Sequence, residues 1–149
     1  MKRSNRWIFL VLIIIVALLL YRRTQTPDTP VKSEPAKVES IPGSNFKRVT
    51  LTAKAASRLG IQTVSVREEK MLRSGRVQRV IPYASVIYGL HGETWIYTNP
   101  EPLVFVRNSI TIDYIDADLA VLTEGPPPET LVVTVGVAEL YGTETGVGK

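Results

Sequence analysis

The stretch Val80–Val135, VIPYASVIYGLHGETWIYTNPEPLVFVRNSITIDYIDADLAVLTEGPPPETLVVTV, decides the fold. Short runs rich in Val, Ile, Thr and Tyr recur along it at intervals of roughly ten residues, each ended by turn chemistry. Ser85–Tyr88 and Thr94–Thr98 flank Gly89-Leu90-His91-Gly92-Glu93, which predicts a hairpin with a glycine-containing loop. Further strands are predicted at Leu103–Val106, Ser109–Ile115, Leu119–Leu122 and Leu131–Val135. Asn99-Pro100-Glu101-Pro102, Asp116-Ala117-Asp118 and Gly125-Pro126-Pro127-Pro128 are the breaks between them. The expectation is an all-β fold, a small barrel or sandwich.

Working back toward the N-terminus, FKRVTLT from Phe46 shows strand alternation, with Val49 and Leu51 on one face. Thr52 is placed to cap a short helix, AKAASRL, and Gly60 suits its left-handed end. Ile61–Val66 returns to a period of two and predicts another strand. The domain is therefore expected over residues 46–149, with one short helix. Residues 24–45 carry Pro27, Pro30, Pro35 and Pro42 among Thr, Ser, Lys and Glu, and read as a linker.

Residues 1–23 form the head. Trp7–Tyr21, WIFLVLIIIVALLLY, is an uncharged apolar run flanked by arginines and ended by aromatic residues suited to the two membrane interfaces. Its 15 residues would rise about 22 Å as a helix, short of a bilayer core of roughly 30 Å and close to a signal-peptide length. No small-x-small cleavage site follows Tyr21, and flanking arginines can snorkel to extend the span. The expectation is an uncleaved single-pass transmembrane helix in the cytoplasmic membrane, with the lipid bilayer as its partner and the domain extracytoplasmic.

Charge narrows the function. The chain is formally +4, but Lys2, Arg3, Arg6, Arg22 and Arg23 belong to the head, and the rest has 18 − 5 = 13 basic residues against 14 acidic. A nearly neutral domain without a recognition motif argues against nucleic acid. Within the domain, Phe46–Arg79 has nine basic residues against Glu68 and Glu69, whereas Val80–Lys149 has two basic and nine acidic. Pairing between the halves is the plainer expectation. The other is a basic face turned toward anionic headgroups or an acidic partner.

Candidate chemistry is sparse. There is no cysteine and His91 is the only histidine, so thiolate catalysis and the usual zinc sites are excluded. Asp113, Asp116 and Asp118 are spaced like part of a calcium loop but lack its turn glycine and closing glutamate, so a hairpin turn accounts better for the last two. The C-terminal glycines lack the strand-glycine-helix context of a phosphate loop. No serine has a convincing base, and the expectation is a protein that is not an enzyme, with no cofactor and no metal.

Two stretches resemble the periplasmic adaptor subunits, or membrane fusion proteins, of resistance-nodulation-division efflux pumps. Val49–Val66, VTLTAKAASRLGIQTVSV, is similar to the segment entering the adaptor's membrane-proximal domain. Val80–Gly148 is similar to the adaptor C-terminal region, through Ile81-Pro82, Gly92-x-x-Trp95-Ile96-Tyr97, Gly125 before Val132-Val133, and Gly136 before Glu139-Leu140. Only Arg67–Arg79 lies between them, where full adaptors carry a barrel, a lipoyl-like domain and a helical hairpin. The resemblance implies the membrane-proximal β-barrel or β-roll alone, docking on an inner-membrane transporter and unable to bridge to an outer-membrane channel. Homo-oligomers are left open, as is a free-standing cell-envelope binding module. The exposed turns, with Leu90, His91, Glu93, Asp116, Ala117 and Asp118, are the candidate docking residues, because such loops present side chains from a rigid scaffold.

Overall fold

A computed structural model describes residues 34–146. The apolar head with its basic flanks, and the neck up to residue 33, lie outside the described residues. The chain from Glu34 onward is mostly β, with a sheet curled into a half-barrel.

The first strand, β1 (Ala36–Ser40), falls where a linker was expected. It pairs antiparallel with β2 (Lys47–Leu51), from Ala36 opposite Leu51 to Ser40 opposite Lys47. Pro35 and Pro42 flank β1 rather than interrupt it, and the Pro35 carbonyl accepts the Thr52 N–H at 3.0 Å. AKVES reads as linker because an edge strand paired on one side has few apolar residues to show. The domain thus begins near Glu34.

Helix α1 (Ala53–Leu59) follows, then β3 (Gln62–Ser65). A hairpin absent from the sequence reading comes next, β4 (Arg67–Lys70) and β5 (Val77–Pro82), with Arg67 opposite Val80 and Lys70 opposite Val77. A 3₁₀ turn at Tyr83–Ser85 leads to β6 (Ile87–Tyr88), which pairs with the start of β7 (Thr94–Glu101). The two strands expected between Leu103 and Ile115 are one, β8 (Val104–Asp116). Asn108 does not interrupt it, because its amide donates to the Thr98 hydroxyl at 2.7 Å and to the Val106 carbonyl at 3.1 Å. β9 (Leu119–Glu124), β10 (Leu131–Val135) and a second helix, α2 (Val137–Thr145), complete the domain, where one helix was expected.

The strand order is β3-β10-β7-β8-β9-β5-β4, with β2 beside the first half of β8. Its two ends, β3 and β4, are consecutive in the chain and joined by Val66 alone. Val66 is fully buried, donating its N–H to the Thr130 carbonyl at 2.8 Å and accepting from the Glu129 N–H at 3.0 Å. β8 serves β7 with its first half and β9 with its second, and register shifts at Thr111–Tyr114 bend it between them.

Both faces of the sheet are covered, which explains why buried residues run consecutively as Val80-Ile81, Ile96-Tyr97 and Val132-Val133. Ile81, Ile96 and Val132 point with Val66, Ile110, Ala120 and Leu122 into one cluster. Tyr97 and Val133 point with Val49, Leu51, Phe105 and Leu140 into another, against the helices. Met71, Val80 and Val121 form a third.

The halves of opposite charge do not pair as expected. The ion pairs among the described residues are Lys37–Glu39, Arg67–Glu69 and Arg107–Glu144, and none joins Phe46–Arg79 to the acidic half. Arg79 instead donates to backbone carbonyls, of Thr123 at 3.1 Å, of Pro126 at 3.2 Å and of Gly125. Carbonyls left free where β9 ends take the guanidinium that a carboxylate was expected to hold.

Candidate docking surface

The β6–β7 turn is hydrogen-bonded within itself. Gly89 donates to the Glu93 carbonyl at 2.8 Å, and the Glu93 carboxylate accepts the His91 N–H at 3.0 Å. Gly92 sits at φ 88, a conformation that suits glycine. A side chain at Gly89 would overlap the Glu93 carboxylate and the Trp95 ring, so the turn rests closely on β7. Leu90 projects from it 99% exposed, beside exposed His91 and Glu93.

The β8–β9 turn is tighter. Asp116 pairs with Leu119, leaving Ala117 and Asp118 at the tip, and Ala117 takes φ 52, uncommon for a residue with a Cβ. All three of Asp116, Ala117 and Asp118 are exposed. Asp113 is occupied elsewhere, accepting from the Gln78 amide at 3.1 Å. Among the described residues, no three His, Asp or Glu side chains converge in a way that could hold a metal ion.

What links the two turns is a pair of tyrosines that sequence reasoning passed over. The Tyr83 N–H donates to the Asp118 carbonyl at 2.7 Å, and its ring meets that of Tyr88, just before Gly89, at 6.3 Å and 62°. The rings are 43% and 53% exposed. The Tyr88 phenol is raised above its ordinary pKa, first by the Tyr83 hydroxyl beside it and then by burial. The exposed tyrosine pair thus lies between the two turns, one presenting exposed Leu90, His91 and Glu93 and the other exposed Asp116, Ala117 and Asp118. An aromatic at a strand end normally signals core, and only tertiary geometry turns these two outward. Beside this pair, Tyr88, Glu93, Thr94, Trp95, Ile110 and Thr111 line an open groove of about 530 Å³.

Behind Trp95 lies a buried polar cluster. The Arg107 guanidinium stacks over Trp95 at 4.6 Å, Phe46 at 4.8 Å and Tyr141 at 5.4 Å. It contacts Glu144 through Nη2 to Oε1 and Nε to Oε2, both at 3.1 Å. Glu144, on α2, also accepts from the Tyr97 hydroxyl and from the Lys47 N–H at 3.2 Å. The Tyr97 phenol is pushed far above its ordinary range, by burial first and then by its hydrogen bond to Glu144. A carboxylate this fully engaged has little capacity left for a substrate. The cluster fastens α2 to the sheet.

No protein-family model matches the chain, nor does any curated protein or solved structure.

Proposed function

We propose that this protein is a docking module and not an enzyme. Its N-terminal apolar segment holds it in the cytoplasmic membrane, and its β-domain meets an export or efflux transporter on the extracytoplasmic side. The half-barrel is read as the β-roll of an adaptor's membrane-proximal domain, following the resemblance in Val49–Val66 and Val80–Gly148. The observation that carries the reading is the exposed Tyr83–Tyr88 pair between two turns that present exposed Leu90, Glu93, Asp116 and Asp118. An apolar, aromatic-rich centre with a polar rim is how protein interfaces are composed. The described helices are seven and nine residues long, too short to act as the bridging hairpin of a full adaptor.

The groove beside Trp95 favours a second reading, a free-standing cell-envelope binding module. The groove offers an open volume of about 530 Å³, lined by Tyr88, Trp95 and Ile110, to an envelope component. Photo-crosslinkers at Tyr88, Leu90 and Ala117 in native membranes separate the two. Capture of a multispanning protein from all three positions is expected. Capture of an outer-membrane channel, or of further copies of the chain alone, would sink the transporter reading.

A further inference from the structure

The β4–β5 hairpin ends in a second exposed leucine, in the opposite electrostatic setting. Met71 turns inward, packing with Val80 and Val121, while Leu72 beside it is 100% exposed. The turn is firmly built: the Met71 carbonyl accepts the Gly75 N–H at 2.8 Å, and the Met71 N–H donates to the Arg76 carbonyl at 2.9 Å. The Ser74 hydroxyl donates to the Gln78 side chain at 2.8 Å and accepts from the Arg76 N–H at 3.3 Å. Leu72 is thus held outward by the fold.

Around it stand Lys70, Arg73 and Arg76, all exposed, with no acidic residue from Lys70 to Val77. None of the three is in an ion pair among the described residues. Arg73 lies 4.7 Å over the Tyr114 ring, which steadies the tip without neutralising it. Of the carboxylates nearby, Glu69 beside Lys70 is paired with Arg67, Glu124 accepts from the Thr111 hydroxyl and Asp113 from Gln78, while Glu68, two residues before Lys70, is exposed.

We infer that this hairpin is a contact point for an anionic phospholipid surface, with Leu72 entering the headgroup–acyl boundary and Lys70, Arg73 and Arg76 binding lipid phosphates. The inference rests on the reading that the apolar head anchors the chain. A lone leucine at a convex tip needs no shaped pocket when its host is a fluid layer, and cations at the same level meet the phosphates. Chain length permits the contact. Residues 22–33, between the apolar run and the domain, reach about 40 Å when fully extended. The chain enters the domain at β1, whose partner β2 pairs Thr50 with Val104 at one end of β8. The β4–β5 tip is level with Thr111, since Thr111 pairs with Glu124, Arg79 with Leu122 and Lys70 with Val77. From Val104 to Thr111 is about 24 Å along the strand and from β1 to β4 about 24 Å across five strand spacings of the sheet, together on the order of 34 Å, within the reach of that tether.

The full chain lacks cysteine, so single Leu72→Cys and Leu90→Cys variants each take one environment-sensitive fluorophore. Each is reconstituted into vesicles of phosphatidylglycerol with phosphatidylcholine, or of phosphatidylcholine alone, and quenched by brominated acyl chains. Quenching at position 72 and not at 90, in the anionic vesicles, is expected. The triple variant Lys70→Glu, Arg73→Glu, Arg76→Glu should lower lipid contact at position 72 on the order of a hundredfold, and raised salt should lower it in the unsubstituted tip. All changes are at exposed positions, and an unaltered far-ultraviolet dichroism spectrum checks the fold. Equal quenching at both positions, or indifference to lipid charge, overturns the inference. No quenching at position 72 in a chain that floats with the vesicles overturns it too, and leaves the tip to an acidic protein. A chain that fails to float overturns the anchor reading and this inference with it. Because no transporter is present, none of these outcomes depends on docking at Leu90.

Discussion

The two helices of the domain are held in place by different means. Helix α1 carries its own ends: the Thr52 hydroxyl accepts the Ala55 N–H at 3.2 Å, and Gly60 closes the last turn at φ 62. It buries only Ala55. Helix α2 starts after Gly136, which supplies no side-chain cap, and it is secured by Leu140 and Glu144, both buried. Neither helix, at seven and nine residues, is long enough to persist alone in water. The first has its termini satisfied locally and rests on the core through Ala55, with Ala56 and Leu59 partly buried beside it. The second depends on the Tyr97, Arg107 and Lys47 donors that reach Glu144 from three different strands.

Breaking that dependence should produce the largest effect. Glu144→Ala leaves the Arg107 guanidinium, 11% exposed, and the buried Tyr97 hydroxyl without their acceptor. A loss of about 3–5 kcal/mol in urea unfolding is expected. A loss under about 1 kcal/mol would mean that α2 is held by Leu140 packing alone. Gly136→Ala comes next, at about 1–3 kcal/mol, because φ 86 strains any residue with a Cβ and that Cβ would overlap the Ile61 δ-methyl. If this variant melts with the parent chain, the β10–α2 junction is softer than its geometry.

The contrast between the helices also explains what could be read in advance. α1 was legible because Thr52, AKAASRL and Gly60 encode it locally. α2 was not: Gly146 closes its last turn at φ 77 as Gly60 does in α1, but Gly136 and Gly142 argue for a loop, and what overrules them is a carboxylate's partners as far as 97 residues away in sequence. The β4 segment, REEK, was missed for a related reason, since an edge strand of charged residues has no apolar alternation to reveal it. Turn chemistry did mark Gly89–Glu93 and Asp116–Asp118 as tips. It could not indicate that Tyr83 and Tyr88 would meet between them.

Alkaline titration sharpens the comparison from the α2 side. Tyr97 keeps its proton in the fold at pH values where an unfolded tyrosine, with a pKa of about 10, has lost it. Above pH 10 or so the unfolded chain therefore binds fewer protons than the native one, and stability falls with rising pH, by up to about 1.4 kcal/mol per unit from this group. Below that pH the contribution is fully present. Tyr97→Phe should flatten this part of the profile, measured as the difference between the two chains at pH 9 and pH 11 or so. An unchanged slope would remove Tyr97 as its source.

The smallest effect is expected at the other helix. Thr52→Ala removes the acceptor of the Ala55 N–H and the 3.4 Å hydroxyl contact to the Pro35 carbonyl, but leaves the backbone bond from Thr52 to Pro35 in place. Loss of such a cap costs about 1 kcal/mol. Because α1 buries Ala55 alone and Gly60 still closes its far end, the loss should stay local. Hydrogen exchange would quicken at the amides of Ala55, Ala56 and Ser57, while those of Leu140 and Tyr141 on α2 keep their protection. Glu144→Ala should do the reverse, freeing the α2 amides and sparing α1. Exchange that rises in both helices with either substitution would show that they open as one unit, and the local and tertiary means of holding a short helix would not be separable in this domain.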